Sequence, residues 1–136
     1  MIDLNLLGVL YCTHAALPAM VEQGSGHIVN VSSVAGRTAR AGTGVYNLTK
    51  WGVGAFSESL RQEVTERNVR VTLIEPGAVD TELFDHNRPD RAAEIKALIT
   101  DTLVPDDIAR SIVFVLSQPD RVSVNELLIR PTGQAR

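Results

Sequence analysis

Apolar and polar positions along the chain follow two periods, one typical of helices and one typical of strands. Residues 2–23 carry apolar side chains on more than one face, with Asp3 as a candidate N-cap and QGSG as the stop signal. We expect this helix to be well buried. The segment HIVNVSS, residues 27–33, is β-branched and bounded by Gly26 and two serines, which predicts a strand covered on both faces.

A second long helix is predicted over residues 43–68, where apolar or small side chains recur at roughly the helical period: Val45, Leu48, Val53, Phe56, Leu60 and Val64. Residues 69–74 (VRVTLI) predict a second strand, which ends at Pro76 and Gly77. The polar segment 80–91 predicts a loop, and residues 91–102 a short helix. A third clear helix is expected to begin near Pro105, and ELLIRP, residues 126–131, predicts a last short strand.

Strands separated by helices require crossover connections, so the predicted class is α/β with a parallel sheet. Three strands make a small sheet for a doubly wound fold, and the first is as apolar as a central strand. A central strand needs a neighbour on each side, because an open edge invites aggregation. We therefore expect further strands upstream of residue 1. Residues 1–136 contain no internal repeat or linker, which predicts a single, partial domain.

Composition narrows the class of partner. The chain of 136 residues is 44% hydrophobic and 21% charged, as in a soluble domain. A net charge of −3 without a basic run argues against nucleic acid and against anionic membranes. The single cysteine, Cys12, has no partner for a disulfide or a metal site, which favours a reducing compartment. The N-terminus lacks a basic signal-peptide segment, and we find no apolar run of membrane-spanning length, so we expect a cytoplasmic protein without a metal.

Candidate chemistry centres on Tyr46 and Lys50, which lie four positions apart and therefore share one face of the second helix. A cation beside a phenol favours the deprotonated form, which brings proton exchange closer to neutral pH. Ser33 ends the first strand, where doubly wound sheets bind ligands. A hydroxyl and a phenol that converge on one point suit a carbonyl oxygen.

Each of these residues also has an ordinary structural explanation. A Tyr followed four residues later by a Lys is more often a tyrosine at the core margin beside a solvated lysine, and serines at strand ends are often turn residues. We interpret Arg37 and Arg40 as solvated loop residues. His14 and His27 are interpreted as structural, and Trp51 as a residue that packs in the core or against a partner helix.

Four motifs occur together and in order, and the whole set resembles a known family. NLLG (residues 5–8), HIVNVSSVAG (27–36), YNLTK (46–50) and EPGAVDTEL (75–83) resemble the second half of the short-chain dehydrogenase/reductase family. The resemblance implies the C-terminal half of a doubly wound, parallel-sheet Rossmann fold with three layers, whose first nucleotide-binding half is missing. It also implies an oxidoreductase that transfers a hydride between NAD(P)(H) and an alcohol or carbonyl substrate.

The resemblance assigns catalytic roles residue by residue. Tyr46 matches the general acid/base, and Lys50 matches the residue that assists it and binds the nicotinamide ribose. Ser33, rather than Ser32, matches the donor to the substrate oxygen, because it stands thirteen positions before Tyr46. Asn5 matches the asparagine that holds a water behind the lysine.

The cofactor-binding positions follow from the same resemblance. Besides Tyr46 and Lys50, they are Pro76, Gly77, Val79 and Thr81. The ending VNELLIRPTGQ resembles users of NADP more than users of NAD. The glycine-rich turn of the first half is absent, so we expect either a fragment or an internal methionine at position 1. Phe84 and His86 lie in the segment that matches the loop which closes over the substrate in members of this family.

The expected partners are a small alcohol, ketone or aldehyde and further copies of the chain, because the two long helices resemble those of a homodimer or homotetramer interface. Three alternatives remain open. The chain could be a non-catalytic dimerisation module. It could also be a Ser/Lys hydrolase, for which no oxyanion hole is evident, or a sugar-nucleotide epimerase, against which EPGAVDTEL argues.

Overall fold

The computed structural model describes residues 1–82 and 102–135, and its helices and strands follow the predicted order. They are a short π-helix Asp3–Leu7, α1 Gly8–Gln23, β1 Gly26–Val31, α2 Gly44–Val64, β2 Val69–Pro76, α3 Pro105–Leu116 and β3 Glu126–Ile129. The predicted helix over residues 91–102, except its last residue, lies outside the described residues, as do Phe84 and His86.

The three strands form one parallel sheet in the order β1-β2-β3, which confirms the predicted α/β class. β1 pairs with β2 from Gly26 opposite Val69 to Val31 opposite Ile74, and β2 pairs with β3 over its last four residues. The strand between two neighbours is therefore β2, whereas β1, expected to be central, pairs only with β2 in the described sheet. This matches the near-complete burial of β2, because a strand paired on both sides and covered on both faces loses almost all contact with water.

The main hydrophobic core lies between one face of the sheet and the helices α1 and α2. Its buried residues are Ile28, Leu60, Val64, Val69 and Val71, with Leu17, Met20, Val21 and Phe56 packed against them. Side chains alternate between the two faces of a strand, so Arg70 projects from the opposite face. Arg70 donates to the carbonyl oxygen of Gln118 just after α3, at 3.0 Å, and α3 therefore lies on that second face.

The second helix forms where the periodicity predicts it, but its first turn is more exposed than expected. It begins at Gly44, ends at Val64 and continues as a 3-10 turn, Thr65–Arg67, up to Asn68. Val45 and Leu48 are 55% and 60% exposed, because the buried face of the first turns carries polar side chains instead. These are Asn47 and Thr49, which hydrogen-bond within the loop and the helix.

The prediction that the first helix is well buried is wrong for the described chain. Thr13 is the one buried residue of α1, while Leu4 and Tyr11 are 79% and 68% exposed. The apolar residues lie on more than one face, and the sheet covers only the face that carries Leu17, Met20 and Val21. Asp3 is also not the N-cap: Ile2 occupies that position, and Asp3 lies inside the π-helix.

The helical segment Asp3–Gln23 also corrects the expectation about membrane-spanning length. It is the one segment within residues 1–82 and 102–135 that is long and apolar enough to cross a membrane, with a mean hydropathy of 1.5. Length and hydropathy alone do not separate such a segment from a helix that packs in a soluble protein. The described chain leaves most of this segment's apolar surface accessible, as the exposed Leu4 and Tyr11 show.

Candidate functional site

Tyr46 and Lys50 lie one turn apart on α2, as the spacing predicts. The Lys50 Nζ atom lies 5.8 Å from the centroid of the Tyr46 ring, within the range of a cation–π contact. The same Nζ donates to the carbonyl oxygen of Val31, the last residue of β1, at 3.2 Å. Burial lowers the pKa of the Lys50 ammonium from its usual 10.5, because the charged form loses solvation. The phenol and the ammonium thus lie at the carboxyl end of β1.

Ser33 lies at the same end of the sheet, between β1 and β2. Its Oγ accepts a hydrogen bond from the Ala35 amide at 3.1 Å and donates a long one to the Pro76 carbonyl oxygen at 3.5 Å. The neighbouring Ser32 hydroxyl donates to the Lys50 carbonyl oxygen at 2.9 Å. Ser32 therefore holds the backbone of α2, whereas Ser33 has only a weak acceptor that a ligand oxygen could replace.

The loop between Ser33 and Tyr46 is held to α2 by side chains that the sequence analysis did not identify. Asn47 is buried, and its Nδ2 donates to the carbonyl oxygens of Ala35 and Thr38 at 2.7 and 2.9 Å. A Cβ atom on Gly36 would lie 2.9 Å from the Lys50 carbonyl oxygen, so only glycine permits this close approach. The local sequence carried no signal for Asn47, because its partners lie nine and twelve residues earlier in the loop.

Asn5 is joined to the Tyr46 turn through Thr49. Its Nδ2 donates to Thr49 Oγ1 at 3.2 Å, and that hydroxyl donates to the Tyr46 carbonyl oxygen at 2.8 Å. Asn5 lies within the π-helix Asp3–Leu7, a local widening that is frequent at functional sites. The structure therefore connects Asn5 with the helix turn that carries Tyr46.

The segment after β2 leaves the same edge of the sheet. Gly77 N donates to the Ile129 carbonyl oxygen at 2.7 Å, and Ala78 N donates to Gln134 Oε1 at 2.9 Å. Val79 forms a parallel bridge with Leu103, and Thr81 follows two residues later at the surface. Pro76 and Gly77 thus adjoin Ser33, while Val79 and Thr81 lie on the segment that leads away.

Arg37 lies in the loop and keeps a side chain that is 41% exposed, as interpreted, but it is also ion-paired. Its Nε donates to Glu75 Oε2 at 2.7 Å, and its guanidinium also pairs with Glu126. The hydrogen bond to Glu75 raises the pKa of Arg37 most, and the one to Glu126 adds to this. The sequence signal for this pair was Glu75, an acid near the end of an apolar strand, because a buried carboxylate requires a cation as its partner. Trp51, expected to pack in the core or against a partner helix, is 52% exposed, which contradicts core packing only.

This edge of the sheet presents donors that suit a ligand with acceptor oxygens, such as the coenzyme that the resemblance implies. An ammonium and a hydroxyl, both donors, lie at the ends of two parallel strands, next to a turn that contains glycine. Crevices at the carboxyl ends of parallel strands are where doubly wound folds bind such ligands. Across residues 1–82 and 102–135, no group of three or more His, Cys, Asp or Glu side chains is arranged to hold a metal ion.

Comparison with known proteins decides the family. The family model described as short chain dehydrogenase matches residues 1–92. This chain belongs to the short-chain dehydrogenase family. An uncharacterized oxidoreductase of Staphylococcus saprophyticus is 46% identical over 99% of the chain, and one of Staphylococcus aureus is 39% identical over 96%. The match covers 56% and 53% of these relatives, so the chain spans about half their length.

Solved structures agree with this assignment. A closed form of serine dehydrogenase complexed with NADP+ is 40% identical, with a TM-score of 0.93, over 100% of this chain and 56% of that one. Serine dehydrogenase from Escherichia coli is 37% identical, with a TM-score of 0.82, over 100% of this chain and 54% of that one. This short-chain dehydrogenase therefore shares the fold of the half of these structures that it matches.

Proposed function

We propose that this chain is the catalytic half of an NAD(P)-dependent oxidoreductase that interconverts an alcohol and a carbonyl compound. The observation that carries the proposal is the position of Lys50. Its ammonium lies beside the Tyr46 ring and is hydrogen-bonded to the end of β1, next to Ser33. Residues 1–136 would form part of one Rossmann-type domain, in keeping with relatives that are roughly twice as long.

Each polar residue of the site has a proposed role in moving one proton. The coenzyme supplies or accepts the hydride when it is bound. Ser33 donates to the substrate oxygen, after its 3.5 Å bond to the Pro76 carbonyl oxygen is exchanged for a shorter one. Tyr46 gives its proton to that oxygen during reduction and removes it during oxidation. Lys50 favours the phenolate by its charge, and Asn5 supports this turn through Thr49.

We propose NADP as the coenzyme, with NAD as the alternative. Lys50 and Tyr46 would contact its ribose, and Pro76, Gly77, Val79 and Thr81 would line its nicotinamide end. Two similar solved structures are complexes with NADP, which supports this choice. The preference would be read from the ratio of coenzyme dissociation constants, measured by fluorescence titration.

The proposed substrate is a small alcohol that also carries a polar group, with serine as the first compound to test. Two solved structures similar to this chain at 40% and 37% identity are serine dehydrogenases. Simple ketones and aldehydes are the corresponding substrates for reduction. A cytoplasmic location is proposed with them, because the coenzyme pools that such an enzyme uses lie inside the cell.

The test is coenzyme reduction by the full-length protein that contains this chain, with serine and with simple aliphatic alcohols. We expect NADP+ reduction with at least one of them and its loss in Ser33→Ala. The matched control is Ser59→Ala, since Ser59 lies on the exposed face of α2 and bonds to Glu63. Absence of hydride transfer with every alcohol and carbonyl compound would contradict the proposal. Absence of coenzyme binding as well would favour a non-catalytic dimerisation module.

We also propose that a second copy of the chain covers the apolar surface of the two long helices. The exposed residues that would lie there are Leu4, Leu10, Tyr11, Leu48 and Trp51. Replacing Leu48 and Trp51 by Glu should dissociate the oligomer in light-scattering measurements, whereas Phe114→Glu on α3 should not. An unchanged mass for the doubly substituted protein would exclude this surface.

A further inference from the structure

Arg37 forms an ion pair that spans the functional edge of the sheet. The Glu75 side chain is 3% exposed, and its Oε2 accepts from Arg37 Nε at 2.7 Å and lies 2.6 Å from the second guanidinium nitrogen. The other carboxylate, Glu126, begins β3 and is 51% exposed. Glu75 is thus the buried end of the ion pair, while the Arg37 side chain is 41% exposed. Solvent therefore screens the contact with Glu75 less than the one with Glu126, in which both partners are exposed.

Arg37 and Glu75 each lie a few residues from a part of the proposed site. Arg37 follows Ser33 by four residues, and Glu75 directly precedes Pro76. Beyond the backbone bond from Ser32 N to the Ile74 carbonyl oxygen, the loop is held to β2 by the long Ser33–Pro76 bond and by this ion pair. The guanidinium thus connects the turn that carries the serine hydroxyl with the turn at Pro76.

We propose that Arg37 is a positioning residue, which fixes Ser33 relative to the Pro76–Gly77 turn by its bond to Glu75. The inference rests on the proposed function, in which Ser33 orients the substrate oxygen and Pro76–Gly77 lies beside the coenzyme. Catalysis depends steeply on such distances, and a misplacement of about 1 Å can reduce the rate about a hundredfold. In this proposal Arg37 acts through Ser33 and the Pro76–Gly77 turn rather than by touching substrate or coenzyme.

The experiment separates positioning from stability with a double variant of the full-length protein. Arg37→Ala leaves the buried Glu75 carboxylate without its cation and should lower the unfolding temperature. Adding Glu75→Gln removes that charge and should restore most of the unfolding temperature. Turnover should remain reduced at least about tenfold in the double variant, because the connection between the two turns is still absent. Arg37→Lys should restore part of the turnover.

A second readout does not depend on turnover. In coenzyme-free Arg37→Ala/Glu75→Gln, amide hydrogen exchange at positions 36 and 37 should be about tenfold faster than in the wild type. These two amides donate to the Ser33 and Val34 carbonyl oxygens in this turn. The control is Arg61→Ala, which removes an exposed ion pair with Glu58 on α2 and should change neither exchange nor turnover.

The outcomes distinguish this inference from the proposed function. Wild-type turnover and wild-type exchange in Arg37→Ala/Glu75→Gln would overturn the positioning role while leaving the oxidoreductase intact. Accelerated exchange with full turnover would also overturn it, because the connection would then be mobile without consequence for catalysis. A wild-type protein without turnover on any coenzyme would contradict the proposed function, and the exchange measurement would still test the connection itself.

Discussion

Replacing Gly77 by Ala places a methyl group where the chain has no room for one. The added Cβ would collide with Gln134 Oε1 and would lie 3.1 Å from Pro131 Cδ and 3.2 Å from Arg130 Cα. Gln134 can move, but it then releases the Ala78 amide, to which it is bonded at 2.9 Å. The residues after β3 therefore hold the turn at Pro76–Gly77, and Gly77→Ala disturbs that contact directly.

The cost follows from two contributions. Leaving the buried Ala78 amide without an acceptor costs about 1–3 kcal/mol. The tight contacts with Pro131 and the backbone of Arg130 add an overpacking cost of about 1–3 kcal/mol. We expect the free energy of unfolding of Gly77→Ala to fall by about 2–6 kcal/mol in total. Coenzyme affinity should also weaken, because the turn shifts.

Equilibrium urea unfolding of the full-length protein measures this loss. The matched control is Gly44→Ala, at the first residue of α2, where an added Cβ meets nothing within 4 Å. Alanine at that position should be neutral or stabilise by up to about 1 kcal/mol. Equal stability of the two variants, within about 0.5 kcal/mol, would refute the reasoning.

Three further predictions concern charge and the loop. Burial lowers the pKa of Lys50 below 10.5, so the unfolded chain binds more protons than the folded chain in the alkaline range below that value. The free energy of unfolding should therefore rise with pH in that range, and urea titrations of Lys50→Met should no longer show the rise. Burial also lowers the pKa of His27 below 6.5, so stability should fall as the pH drops below 6.5, and less so in His27→Gln. If the difference in unfolding free energy between the wild type and either variant did not change with pH, the corresponding assignment would be contradicted. Asn47→Ala removes the hydrogen bonds to Ala35 and Thr38 and should lower the unfolding free energy by about 1–3 kcal/mol. The control, Gln62→Ala at an exposed position of α2, should leave it unchanged.

The parts of the fold that depend on local pattern were predictable. Helical periodicity located α2 and placed Tyr46 and Lys50 on one face, and the β-branched runs located β1 and β2. A four-residue spacing is a local property of a helix, so it holds whatever packs around it.

The contacts that arise from distant residues were not predictable in the same way. Arg37 meets Glu75 across 38 positions and Glu126 across 89, and no local pattern reports such a pair. The exposure of α1 depends on which layers are present to cover it, and an apolar pattern gives only the capacity to be buried. The π-helix around Asn5 was not predictable either, because such turns are rare and the sequence pattern indicated an ordinary α-helix there.

The central claim is that Tyr46 moves the proton. The direct test is Tyr46→Phe in the full-length protein, because this change removes the hydroxyl and keeps the ring that contacts Lys50. We predict that turnover falls by at least about a hundredfold, the contribution typical of general acid–base catalysis, while the coenzyme dissociation constant changes little. Turnover that remains within a few-fold of wild type, with intact coenzyme binding, would contradict the account.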